Sequence, residues 1–444
     1  MTRGRTYRGR QKKRDPVHRP PVSCEDESFW RLQRWANAKG DHVSGGRVRL
    51  KLVWFPQTSC RGLMAMENVP AGSVLFRIPS SVILLPQQAP PPTAPAAPHP
   101  TPPLPLLFPE EALTFRLLLE DRKGSESNWN WYLRTLPRDF SSHPLSHPHL
   151  SEFLEGELKE DFQKECQRAN RCYAKLRTQF SDRSLTYSEF LWAWLCVLTR
   201  AVHVPGFDTQ AMVPMLDLVN HDPFVSTELR VRYEQQQRVV HNAHVPNGKV
   251  SWLHPVHTSP SKPNFTLELV THSSFRRGKE VFITYGDRSN SRLWLEYGFI
   301  LPSNPASVLS WSPMDLSLRL KEVYGELLPL KEVPSWVRGI QCGSSTGPTW
   351  MMRQAVAFAL GLSSLEEERV LSACDRALAA GAMKRVLEVE DRTLRSQQDK
   401  MRENMSAPTC SGVPRQLIDA AILLYDELLN ICRNTLLKID GEGT

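Results

Sequence analysis

Met215-Leu-Asp-Leu-Val-Asn-His221 and Val281-Phe-Ile-Thr-Tyr-Gly286 decide the reading of this chain, the second leading into Trp294-Leu-Glu-Tyr-Gly-Phe299. Each is an apolar, strand-like run that ends abruptly in polar groups able to hold a ligand. Val213 to Val219 is long enough for a buried strand, which places Asp217, Asn220 and His221 at its exit. An amide and an imidazole held there can hydrogen-bond a zwitterionic or purine ligand. Tyr285 closes the strand Val281 to Tyr285 ahead of Gly286, where backbone can approach a ligand closely. Singly, each feature is also ordinary. Asn-His-Asp-Pro223 makes a turn by itself, and a buried tyrosine usually packs with one satisfied hydroxyl.

The chain has 444 residues, 41% hydrophobic and 23% charged, enough for two or three domains with full cores. Its net charge of +8 is concentrated rather than spread. Met1 to Pro20 holds eight Lys/Arg against Asp15 alone, so the remainder is nearly neutral. A broad phosphate-binding face is therefore not expected, only weak nucleic-acid contact through the tail. Nine scattered cysteines, with no zinc spacing, argue against a disulfide framework or structural zinc. No apolar run approaches the roughly 20 residues that span a bilayer, and the basic N-terminus lacks a secretory apolar stretch. The expectation is a soluble intracellular monomer with no membrane contact.

Residues 1–27 read as a disordered basic tail, with a nuclear address or a plain solvated segment both open. Ser28 to Lys39 has the spacing of an amphipathic helix, and Val48 to Phe55 and Val74 to Ile78 read as strands around the turn Val69-Pro-Ala-Gly72. Pro86 to Pro109 carries eleven prolines and cannot form helix or sheet. Residues 110–202 look helical. Thr186 with Glu189 makes a capping box before Phe190, Leu191, Trp194, Leu195 and Leu198, in a helix that ends near Arg200. Tyr233 to Asn264 reads as a second long loop. Its His241, His244, His254 and His257 lack ligand spacing, so no metal is expected. After residue 305 the pattern is helical, with a capping box at Ser364 and Glu367 and a stripe through Leu417, Ala421, Leu424, Leu428 and Ile431.

Two further pieces complete the set. Ser59-Cys-Arg-Gly-Leu63 reads as a turn between strands, and Arg200 follows an aromatic-rich helix, where it could merely complement the helix dipole. In this order the glycine turn, Thr199-Arg-Ala-Val202, Asp-Leu-Val-Asn-His, Ile-Thr-Tyr-Gly and Glu-Tyr-Gly-Phe resemble the SET methyltransferases of the Rubisco large-subunit lysine methyltransferase group. The resemblance covers about residues 28–305. It implies a mixed, β-rich SET fold with a pseudoknot and a helical insertion, followed by an all-α domain over 306–444 that binds part of a protein substrate. It also implies S-adenosylmethionine as cofactor and a lysine side chain of a protein, histone or other, as methyl acceptor, in cytoplasm and nucleus.

By the same resemblance, Cys60, Arg61 and Gly62 meet the methionine part of the cofactor, and Arg200, Asp217, Asn220, His221 and Tyr285 line it. Tyr285 is the catalytic tyrosine, and Tyr297 is catalytic with it and walls the target channel. Two wordings depart from the group: Cys60 stands where glycine is common, and Pro214-Met-Leu-Asp217 replaces Pro-Met-Ala-Asp. A histidine-methylating relative has an asparagine and a tryptophan, both able to hydrogen-bond, where this chain has Val202 and Leu216, which favours lysine. Histidine methylation and a non-catalytic interaction module remain the alternatives.

Overall fold

The computed structural model describes residues 21–23, 27–39, 48–56, 60–86, 107–180, 184–207, 209–233, 239–241, 265–325, 330–363, 372–406 and 412–442. The basic tail, nearly all of the proline-rich segment, Ser59, most of the His-rich loop and the Ser364–Glu367 box lie outside these residues. The chain divides into two compact units, one of residues 1–137 with 176–286, the other of 138–175 with 287–444. The boundary expected at 305 thus falls at 286, and part of the helical insertion belongs to the second unit. Hydrogen bonds within that unit explain the grouping: Tyr425 donates to the Glu155 carbonyl and Asn290 to the Glu427 carboxylate.

The first unit carries the strands β1 (Val22–Ser23), β2 (Leu50–Phe55), β3 (Cys60–Ala65), β4 (Val74–Pro79), β5 (Ala201–Val204), β6 (Thr209–Met212), β7 (Asn220–His221), β8 (Thr227–Tyr233), β9 (Val239–His241), β10 (Phe265–Thr271) and β11 (Glu280–Ile283). One sheet has the order β4-β10-β8-β9. Its central strand, rich in β-branched and aromatic residues, is buried at nearly every position. Glu268 sits in the middle of that strand with its side chain only 2% exposed, and Arg77 and Arg232 from the flanking strands each donate to one of its oxygens, at 2.9 and 2.8 Å. A buried carboxylate is tolerable there because both oxygens are met by cations. His241, expected in a loop, is instead in β9, paired with Arg230.

The other large sheet has the order β1-β2-β3-β11-β7. β11 runs antiparallel to β3 and parallel to β7, pairing Glu280 with Met64, Val281 with Leu63, Phe282 with Asn220 and Ile283 with His221. A late segment is thus wedged between two earlier ones, and the two motif stretches become neighbours. Cys60-Arg-Gly62, read as a turn, lies within β3. Its alternation against β2 holds it in register from Leu50↔Ala65 to Phe55↔Cys60.

Val213 to Val219, read as a strand, is not one. Pro214 has no amide hydrogen for a ladder, Met215 takes φ +73°, and Leu216–Leu218 forms one turn of 3-10 helix. Asp217 is therefore in a tight turn, while Asn220 and His221 are in the strand that follows. The helix Tyr187–Arg200 has the expected cap: Thr186 Oγ1 accepts from the Glu189 amide and the Thr186 amide donates to the Glu189 carboxylate. The chain passes directly from Arg200 into β5, so the helical reading of residues 110–202 overruns by two residues. The helix Pro109–Lys123 likewise begins on the last residue of the proline run, where proline suits the first helical position.

The second unit is mainly helical, with long helices Ala373–Ser406 and Arg415–Glu442. Leu417, Ala421, Leu424 and Ile431 of the expected stripe are buried, and Leu428 is half-buried. An all-α domain was expected over 306–444, but a three-stranded sheet also lies there: β12 (Val308–Ser310), β13 (Gln341–Gly343) and β14 (Gly347–Pro348). Strands this short carry no periodic signal in the sequence. No helix among the described residues is long and apolar enough to cross a membrane.

Candidate functional site

Three small constellations in the first unit gather the motif residues. The first joins the helix end to the 3-10 turn. Arg200 Nη1 donates to the Asp217 carbonyl at 3.0 Å and to Asp217 Oδ2 at 3.1 Å. Tyr132, at 0% exposure, donates its hydroxyl to the same Oδ2 at 3.0 Å. Asp217 Oδ1 is buried and finds no partner among the described residues. Burial works against the Arg200 charge, yet the facing Asp217 leaves its pKa above the ordinary value. Burial also pushes the Asp217 carboxyl up, with Arg200 and Tyr132 opposing. Arg200 is thus an ion-pair partner rather than a helix-end charge. Tyr132 carries no motif and lies 85 residues from Asp217, so no sequence signal marks it.

In the second constellation Asn220 reaches across the sheet. Its Nδ2 donates to the Arg61 carbonyl at 2.8 Å and to Glu280 Oε1 at 2.7 Å, with Cys60 Sγ at 3.5 Å. Gly62 lies against the same carboxylate, and a Cβ there would overlap Glu280 Oε1 and stand 3.0 Å from Asn220 Nδ2. Burial raises the Glu280 pKa to about 7, against the hydrogen bond from Asn220. Glu280 is the second residue that the motifs did not mark.

The third constellation stacks His221 on Tyr285, ring centres 4.9 Å apart and planes 18° from parallel. The Tyr285 amide donates to His221 Nδ1 at 3.0 Å. Nδ1 also lies 3.4 Å from the Ile283 carbonyl, but the shorter amide contact makes it an acceptor, which assigns the proton of the neutral ring to Nε2. The Tyr285 hydroxyl donates to the Val219 carbonyl at 2.8 Å. Tyr285 lies two residues beyond the end of β11, not at its last position as the sequence suggested. Leu216 is buried at 2% exposure, and Val202 is half-buried in β5 opposite Ala211.

Tyr297 is placed in the second unit. It ends the helix Asn290–Tyr297, which Gly298 closes at φ +79°. Its pKa is raised by burial, with Arg288 opposing. His143 supports this helix end. Its Nδ1 accepts from the Leu145 amide at 3.3 Å, and Nε2 lies 3.4 Å from the Glu296 carbonyl.

Burial lowers the His143 pKa from 6.5 to about 4. Its neutral form therefore contributes stability that is full above the unfolded value and is lost as pH falls through about 4. The contribution is on the order of 3 kcal/mol. Urea unfolding of wild type and His143→Gln at pH 7 and pH 4.5 should show a shallower loss of stability in the variant. Equal slopes would remove His143 from the acid response.

Could these residues hold S-adenosylmethionine? A side-chain amide fixed beside a glycine strand, an anchored tyrosine hydroxyl and a buried arginine–aspartate pair suit a ligand with an amino-acid end, a ribose and a purine. No family model matches the chain. It is similar to human SET domain-containing protein 4, 28% identical over 405 residues, covering 83% of this chain and 80% of the relative. It is 24% identical to the chloroplastic Rubisco large subunit N-methyltransferase of Pisum sativum over 293 residues, 64% of this chain and 53% of that protein. It is 23% identical to human actin-histidine N-methyltransferase over 303 residues, 63% and 43% respectively. Among solved structures, the SET domain of the Rubisco methyltransferase bound to lysine and S-adenosylhomocysteine matches with a TM-score of 0.56 at 15% identity, covering 94% of this chain and 92% of that one. The chain thus has the SET fold and is a homologue of SET domain-containing protein 4 and of the Rubisco large-subunit N-methyltransferase.

Proposed function

We propose that this chain is an S-adenosylmethionine-dependent protein-lysine N-methyltransferase. The observation that carries the reading is the meeting of Asn220 and His221 with Cys60-Arg-Gly62 on one sheet, with Tyr285 just beyond β11 stacked on His221. When bound, the cofactor supplies an electrophilic methyl group on a sulfonium. Asn220, His221 and the Cys60–Gly62 strand hold it, with Arg200 and Asp217 bracing the turn between them. Methyl transfer is an in-line displacement, so positioning supplies much of the acceleration.

The acceptor amine must be neutral. From a reference pKa of about 10.4, deprotonation near pH 7 costs on the order of 4 to 5 kcal/mol. An apolar surround lowers that cost by desolvating the ammonium, and Val202 and Leu216 are apolar. Tyr285 has committed its hydroxyl proton to Val219. Its oxygen therefore serves to align the reacting groups and not as a strong base.

Lysine is favoured over histidine because neither Val202 nor Leu216 can hydrogen-bond an imidazole. Methylhistidine without methyllysine in mass spectra of the products would sink that choice. The protein substrate, histone or other, engages the helical C-terminal region, and the basic tail suits acidic partners in nucleus and cytoplasm. The test of the whole reading is a cell extract labelled with a radioactive methyl donor. Wild type should produce labelled protein bands and should gain thermal stability with S-adenosylhomocysteine. No stabilisation by that ligand would favour a non-catalytic interaction module instead.

A further inference from the structure

Glu280 lies outside every motif, yet it touches the segment assigned to the cofactor. An amide nitrogen has two hydrogens, and those of Asn220 are both used, one by the Arg61 carbonyl and one by Glu280 Oε1. Turning the amide over would set Oδ1 against two oxygens, so its orientation is fixed. Oδ1 accepts nothing among the described residues. Gly62 is what makes this possible, because any side chain there would displace the Glu280 carboxylate. The carboxylate is half-buried, and among the described residues only the Asn220 amide opposes its burial. The Asn220 Oδ1 acceptor thus stays open beside a carboxyl group that burial holds near half ionisation at neutral pH.

We propose that Glu280 is a positioning residue of the cofactor site, clamping the Asn220 amide so that Oδ1 meets the primary ammonium of the cofactor's amino-acid end. The inference rests on the methyltransferase reading above. A primary ammonium is the donor that fits, since it is cationic and belongs to the part of the cofactor assigned to Cys60–Gly62. The clamp has three members: Glu280 supplies the acceptor, Gly62 the space, and Asn220 the contact.

Calorimetry on the full chain with two ligands tests it. S-adenosylhomocysteine has the amino-acid end, and methylthioadenosine lacks it. Glu280→Ala should weaken the first about tenfold and leave the second unchanged. Glu280→Gln should recover to within about threefold of wild type, because its amide oxygen takes the same acceptor place. Gly62→Ala should weaken S-adenosylhomocysteine in the wild-type background but add little in the Glu280→Ala background, where the overlap is gone.

Equal loss of both ligands in Glu280→Ala would overturn the inference, since a merely structural role weakens both. So would undiminished affinity for S-adenosylhomocysteine, or Glu280→Gln as weak as Glu280→Ala. If Glu280→Ala does not fold, equal S-adenosylhomocysteine affinity in Glu280→Gln and Gly62→Ala overturns it. Failure of the wild type to bind S-adenosylhomocysteine overturns the methyltransferase reading itself, and this inference with it. Melting temperatures of the ligand-free variants, measured alongside, separate folding from binding.

Discussion

Replacing Asp217 by alanine is expected to destabilise the protein by about 3 to 5 kcal/mol, the usual cost of leaving a buried charge without its partner. The Asp217 side chain is 2% exposed and that of Arg200 18%, so water cannot replace the lost carboxylate cheaply. The Tyr132 hydroxyl, at 0% exposure, loses its acceptor in the same step. Asp217→Asn should cost less, because its amide oxygen still accepts from Arg200 and Tyr132. Removing both charges, as Asp217→Leu with Arg200→Met, should recover part of the loss, since a matched apolar pair strands no charge. Urea unfolding of the single and double variants measures this directly. A loss under about 1 kcal/mol in Asp217→Ala would mean that the pair is screened like an exposed one. A smaller effect is expected from Tyr132→Phe, about 1 to 3 kcal/mol, because it leaves the ion pair intact but removes one donor.

Tyr285→Phe should lower methyl-transfer turnover about a hundredfold while changing affinity for S-adenosylhomocysteine little. The reasoning separates ring from hydroxyl. The stack on His221 uses the ring, and the contact to His221 Nδ1 uses the backbone amide, so phenylalanine keeps both. Only the bond to the Val219 carbonyl is lost. With it goes the oxygen that aligns the reacting groups, and poor positioning at a reacting centre can cost on the order of a hundredfold. Stability should fall by about 1 kcal/mol, the net worth of one hydrogen bond. Single-turnover kinetics together with calorimetry distinguish the outcomes. Unchanged turnover would show that the hydroxyl takes no part in alignment, and lost binding would make Tyr285 a cofactor contact first.

Local chemistry was legible wherever it acts over a few residues. The capping box at Thr186 and Glu189, the helix Glu27–Lys39 and the strands Leu50–Phe55 and Val74–Pro79 stand close to where spacing placed them. Misreadings arose where one pattern serves two structures. Val213 to Val219 is as apolar as a strand, but Pro214 and Met215 bend it into a 3-10 turn. Ser59 to Leu63 has the glycine of a turn, but from Cys60 onward it is strand, and its glycine answers a close approach by Glu280.

By itself the sequence placed the local elements, because apolar runs, caps and turn residues act between near neighbours, and the order of its motifs implied the fold class through their resemblance to the SET methyltransferases. It also singled out Asn220, His221, Tyr285, Arg200 and Asp217, whose polar ends interrupt apolar runs. Only the tertiary structure decided what those groups do to one another. Tyr132 reaches Asp217 across 85 residues and Glu280 reaches Asn220 across 60. Neither residue type is unusual where it stands in the chain. What makes them part of the site is burial beside a specific partner, and burial depends on which strand is wedged beside which, here β11 between β3 and β7. Pairing energies of this kind act through space at hydrogen-bond distance, so they leave no period or spacing in the sequence to be read.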